Sequence, residues 1–141
     1  MPKMAEGAWR DFLSSRPRTG KLAVVRADGA PHVTPVWFEL DGDEIVFTTH
    51  ETSVKGRHIL RDGRVCLCVD DETPPFSYVA VEGTATPSSD QEELLRWATR
   101  IGGRYMGADR AEEYGKRNGV PGELLVRLTP TRVIAQERIA D

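Results

Sequence analysis

The segment from Val46 to His58 is the stretch whose residue types and spacing come closest to a binding chemistry. A β-rich run ends in Thr48 and Thr49. A polar turn follows, and Ser53, Lys55 and Arg57 arrive together as a helical pattern begins. The first backbone N–H groups of a helix have no partner within it, and here a hydroxyl and two cations converge on them. Such a junction suits a phosphate. A lysine ammonium is a compact charge, whereas an arginine can grip two oxygens. Taken alone, the residues leave a second reading open: a solvated basic helix start behind a capping turn.

The elements that must position this junction can be traced along the chain. Trp9, Phe12 and Leu13 recur at helical spacing and predict a short amphipathic helix. Lys21 to Ala27 reads as a strand, Asp28 and Gly29 as a hairpin turn, and His32 to Leu40 as the return strand. Pro35 inside that strand belongs at an edge, at a bulge, or where a sheet opens, because proline cannot donate to a ladder. Asp41, Gly42 and Asp43 turn the chain into Glu44 to Thr49. Val54 to Arg61 forms the short helix, ended by Asp62 and Gly63. Val65 to Val69 is a fourth strand. A loop runs from Asp70 to Pro75, and Phe76 to Thr86 is a fifth strand. Asp90 and Glu93 form a capping pair for a helix whose Leu94, Ala98, Ile101 and Tyr105 face a core and whose end is weakened by Gly102 and Gly103. A shorter helix covers Arg110 to Lys116. Leu124 to Gln136 supplies a last strand, bent around Pro130.

Six strand signals with short connections and one main helical insertion predict a mainly β fold, a small antiparallel barrel. Helices between most strands, which a parallel sheet needs, are missing from the pattern. Side chains fill so narrow a barrel, so a flat cofactor would bind outside it, in a cleft that a second copy of the chain could complete.

Composition narrows the function. The hydrophobic fraction is 39%, the charged fraction 29%, and the net charge is −3, values expected of one globular domain spanning residues 1–141. An acidic balance argues against a general nucleic-acid binder. No apolar run reaches the roughly 18 residues of a membrane span, and no signal peptide is evident, so a cytoplasmic protein is expected. Cys66 and Cys68 share one face of a strand and read as buried, reduced thiols. His32 and His50 could approach each other on neighbouring strands, but a metal site would lack a third ligand. No nucleophile–base pair and no phosphate-loop or zinc motif occurs. Any difficult chemistry would therefore belong to a cofactor.

Three stretches, in order, carry a resemblance. The first is Asp28-Gly29, Pro31, His32, Val33 and Pro35-Val36-Trp37-Phe38. The second is Thr48-Thr49, Ser53, Lys55, Arg57, Leu60 and Arg64-Val65. The third is Tyr78-Val79, Val81, Gly83 and Ala85. From about Gly20 to Glu137 the chain resembles the split-barrel flavin-binding superfamily of pyridoxamine 5′-phosphate oxidase, and within it the F420-dependent branch of deazaflavin-dependent oxidoreductases. The resemblance implies a six-stranded antiparallel split barrel with a few peripheral helices, working as a homodimer. It assigns the cofactor phosphate to Ser53, Val54, Lys55 and Arg57. It lays the ring system and ribityl chain along His32, Val33, Pro35, Val36 and Trp37, with Thr48 and Thr49. Phe76, Ser77 and Tyr78 would reach the site from the second subunit, and Trp97 or Tyr105 could also line the substrate pocket. Some relatives carry Arg at the position of Ser53 and Asn at that of His58. True pyridoxamine oxidases carry a longer C-terminus with substrate-binding Arg and His residues, so pyridoxamine phosphate is not the expected substrate of a chain ending at Asp141.

The expected activity is transfer of a hydride from reduced coenzyme F420 to an electron-poor double bond of a small molecule, such as an enone, a quinone or a tetrapyrrole. Two other readings stay open: a non-catalytic carrier of F420 or a flavin, and an FMN-dependent oxidase. Neither a metal nor a nucleic acid is expected, and no catalytic residue can be named.

Overall fold

In a computed structural model, which describes residues 2–141, one antiparallel sheet of seven strands organises the chain. The elements are α1 (Ala8–Ser15), β1 (Gly20–Val25), β2 (Pro31–Val36), β3 (Glu39–Asp41), β4 (Glu44–His50), α2 (Val54–Arg61), β5 (Arg64–Asp71), β6 (Ser77–Ser88), α3 (Gln91–Met106), α4 (Ala111–Asn118) and β7 (Glu123–Gln136). The strand order is β2-β1-β5-β6-β7-β4-β3. This is the split barrel that the resemblance implied.

The strand count differs from the six expected because one expected strand is two. His32 to Leu40 breaks after Val36, and its halves pair at opposite ends of the sheet, β2 with β1 and β3 with β4. Trp37 and Phe38 carry the chain across the gap. Phe38 is fully buried in the barrel, while the Tyr105 hydroxyl accepts the Phe38 N–H at 3.2 Å and donates to the Arg18 carbonyl at 2.8 Å. Tyr105 thus stitches the two sides of the split.

Alternation decides which side chains fill the barrel. Leu22 and Val24 of β1, Leu67 and Val69 of β5, and Val79 and Val81 of β6 point inward with Phe38 and Phe47. β4 and β7 are covered on both faces, which accounts for their unbroken apolar runs. Ile45 and Phe47 face the barrel, whereas Val46 and Leu125 face outward beneath Leu94, Trp97 and Ile101 of α3.

Two expectations fall here and a third shifts. Cys66 and Cys68 are free and half-buried on the outer face of β5, because the inward set is Val65, Leu67 and Val69. His32 and His50 do not meet, since β2 and β4 are not neighbours. Gly102 and Gly103, expected to weaken the end of α3, lie within it, since the helix runs on to Met106. They instead let α4 approach: a Cβ at Gly102 would lie 2.5 Å from the Tyr114 Cβ. The Asp90 cap forms as expected, accepting from the Glu92 and Glu93 N–H groups, but the Glu93 carboxylate turns to Arg96. No helix is long and apolar enough to cross a membrane among the described residues.

Candidate functional site

The turn from β4 into α2 is built around one hydroxyl. Ser53 caps α2 by accepting the Gly56 N–H at 3.0 Å. Its own proton goes to the His50 carbonyl at 2.8 Å, which leaves the Thr49 hydroxyl, also 2.8 Å away, as donor to the remaining lone pair. The Ser53 hydroxyl is therefore saturated by its own turn. Its effect on a ligand is to fix the helix start and the reach of Lys55. Gly56 completes the turn, for a Cβ there would sit 2.2 Å from the His50 carbonyl oxygen.

This turn forms one wall of a cleft of about 640 Å³ outside the barrel. Val46, Thr48 and His50 project from the outer face of β4, and the last two reach the cleft. Pro35, Val36 and Trp37 at the end of β2 make an apolar shelf. Ala98 and Ile101 of α3 and Arg117 and Asn118 of α4 close the far side, and Thr19 and Glu123 complete the lining. The Trp37 ring is backed by Tyr105, stacked at 5.1 Å with an interplanar angle of 5°, and Tyr114 lies tilted against it at 5.8 Å. Burial pushes the Tyr105 hydroxyl up, and its two hydrogen bonds commit it to the backbone.

Electrostatically the cleft is cationic but incomplete. Neither Lys55 nor Arg117 forms an ion pair among the described residues, unlike Arg64, Arg96, Arg110 and Arg127. Arg117 lies over the Tyr114 ring at 5.4 Å, so its position is set by an aromatic face rather than by a carboxylate. Such unneutralised charges are what an anionic ligand needs.

Of the residues expected at the site, Pro35, Val36, Trp37, Thr48, Thr49, Ser53 and Lys55 come together in this cleft. The others stand elsewhere. His32 accepts from Arg26 on the β1–β2 hairpin at 3.3 Å, and Val33 is 59% exposed on the outer face of β2. Val54 is half-buried at the first position of α2, and Arg57 is exposed on the side of that helix away from the cleft. Phe76, Ser77 and Tyr78 lie at the β5–β6 turn, where Ser77 pairs with Asp71 and Tyr78 with Asp70. Phe76 is held in the left-handed region at φ 67° and is 39% exposed. Trp97 is buried under α3 and Tyr105 sits behind Trp37, so neither lines the cleft.

Sequence reasoning missed His50, Arg117, Asn118 and Glu123. The alternation Val46, Thr48, His50 was signal enough for the histidine. The α4 and β7 residues reach the cleft only through the packing of α3 and α4, which no local pattern announces.

Comparison with known proteins gives a consistent picture. The pyridoxamine 5′-phosphate oxidase family matches residues 5–137. A pyridoxine/pyridoxamine 5′-phosphate oxidase of Rhodopseudomonas palustris is 34% identical over 93 residues, covering 65% of this chain and 43% of that protein, so the chain spans less than half of this curated relative. A conserved hypothetical protein of Mycobacterium tuberculosis superposes with a TM-score of 0.83 at 28% identity, over 96% of this chain and 86% of its own. A solved F420 reductase superposes with a TM-score of 0.71 at 28% identity, over 92% of this chain and 98% of its own.

Proposed function

The chain belongs to the pyridoxamine 5′-phosphate oxidase family, and from that premise we propose that it is an F420-dependent reductase whose cofactor lies in the cleft between β2, β4, α2 and the α3–α4 pair. The observation that carries this reading is the joint presence, in one cleft, of two unpaired cations and an aromatic shelf. The residues fit the group: Lys55 and Arg117 can take up negative charge, and Pro35 to Trp37 offer an apolar surface for a planar ring. The solved F420 reductase supports the deazaflavin over a flavin.

When bound, the reduced deazaflavin supplies a hydride to an electron-poor double bond such as that of an enone, a quinone or a tetrapyrrole. The chain's own part is position and environment. Lys55 holds an anionic tail at the start of α2. Trp37, backed by Tyr105, keeps the ring shelf rigid and dry. Ala98 and Ile101 exclude water from the opposite wall. Tyr105 is not the proton donor, because its O–H serves the Arg18 carbonyl.

The second subunit belongs to this proposal. Phe76, Ser77 and Tyr78 lie away from their own chain's cleft, so if they cover a cofactor it is a partner's. The outer face of β1, β5 and β6 carries a small patch of Ala23, Cys66, Cys68 and Ala80 flanked by Lys21 and Glu82, which a copy of the same face could cover. A monomeric mass by light scattering at micromolar concentration would refute it. We place the protein in the cytoplasm.

Titration with F420 and with FMN, followed by quenching of tryptophan fluorescence, tests the cofactor. Trp37 is the tryptophan of the cleft, so W37F should abolish most of the quench. Tight FMN binding without F420 binding would instead favour an FMN-dependent oxidase, and the R. palustris relative is an oxidase by name. Oxidation of reduced F420 by a panel of enones and quinones separates an enzyme from a carrier, which would bind without turnover.

A further inference from the structure

One side chain in the cleft has the wrong sign for an anion site. Glu123 opens β7 and stands opposite His50 of β4 in the sheet register. It is half-buried, and its carboxylate makes neither a hydrogen bond nor an ion pair among the described residues. The charged and titratable groups that line the cleft around it are His50 from β4, Lys55 from α2 and Arg117 from α4. Burial pushes the Glu123 carboxyl up, while His50 and Lys55 pull it part of the way back. An unpartnered, partly desolvated carboxylate weakens the fold, and beside two free cations it also lowers the field that an anion meets.

We infer that Glu123 is a charge filter, which makes the cleft favour a singly charged phosphodiester over a doubly charged phosphomonoester. The inference rests on the reading of the cleft as a cofactor site and adds which class of phosphate it takes. The permanent charges of the cleft, Lys55 and Arg117 set against Glu123, sum to one net positive charge. That balances a monoanion and leaves a dianion uncompensated. Coulomb repulsion from the carboxylate is proportional to ligand charge, so the dianion feels it twice over. F420 carries its phosphate as a diester and FMN as a monoester. The same residue would therefore select the deazaflavin without touching its ring.

The test removes the ring from the comparison. FMN, its 5′-methyl phosphodiester and riboflavin share one ring system and differ only at the 5′ end of the tail, as dianion, monoanion and neutral hydroxyl. Each is titrated at low salt and about pH 8, where a phosphomonoester is a dianion. Replacing Glu123 by Gln should tighten the methyl diester by roughly threefold and FMN by roughly tenfold, since a doubled charge squares the factor. E123D, which keeps the charge, should keep the wild-type preference. An equal change for both esters would mean that Glu123 acts on the fold alone, and the filter would be wrong although the cleft binds. If wild-type protein binds both esters no better than riboflavin, there is no phosphate cradle, and the filter falls together with the site.

Discussion

Lys55 and Arg57 stand two residues apart on the same short helix and do opposite things. Lys55 enters the cleft and forms no ion pair among the described residues, while Arg57 is exposed and does not line the cleft. Its surroundings are already crowded with positive groups: Arg61 donates to the Val25 carbonyl and to His58, and burial together with Arg61, Arg57, Arg26 and His32 holds the His58 imidazole below its usual range. Two residues along a helix amount to about 200° of rotation. Spacing that puts two side chains on one face of a strand puts them on opposite faces of a helix, so α2 presents Lys55 and not Arg57 to the cleft.

The contrast can be broken or sharpened by substitutions along this turn, scored by cofactor affinity from tryptophan quenching. Gly56→Ala has the largest expected effect. Its Cβ would collide with the His50 carbonyl, so the turn must open, binding should be lost, and urea unfolding should show a loss of about 1–3 kcal/mol. Lys55→Ala comes next. A charge-assisted hydrogen bond is worth roughly 1.5–3 kcal/mol, so affinity should fall by about one to two decades with little change in stability. Ser53→Ala removes a cap rather than a ligand contact. It should destabilise by about 1 kcal/mol and weaken binding only through the looser helix start. Arg57→Ala should leave affinity within about twofold, since an exposed charge across the helix is screened. An Arg57 effect as large as that of Lys55 would show that the helix turns on binding.

Glu123 gives a smaller, pH-dependent effect. Its carboxyl is raised by burial, so the folded chain holds that proton more tightly than the unfolded chain, whose glutamates titrate near about 4.3. The stability contributed by the protonated form is present below that value and lost as pH rises through the raised one. E123Q should therefore be more stable than wild type at about pH 8, and the gap should close towards about pH 4 in urea midpoints compared at the two pH values.

Much of the fold was legible because it rests on local rules. The Asp28-Gly29 and Asp41-Gly42-Asp43 turns close the hairpins, Asp90 caps α3, and the alternation in β1 and β5 marks the inward face. The errors came from properties of the folded chain. The break at Trp37 depends on where the sheet must split. Gly102 and Gly103 read locally as a weak helix end, whereas their role as the close contact between α3 and α4 depends on α4 lying against them. The site was legible where one segment supplies it, from Thr48 to Lys55. It was illegible where helix packing brings in Arg117 and Asn118, or where the sheet register places Glu123 against His50.

Because Trp37 sits on the two-residue crossing between the first and last strands of the sheet, whatever rests on its ring also bears on the seam of the barrel. A ligand there would act as a clasp, discouraging the flanking edges from parting. Amide exchange at Val36 and Leu40, on either bank of the crossing, should then slow together once the cleft is filled, while Tyr78, at the opposite rim, should keep its unliganded pace.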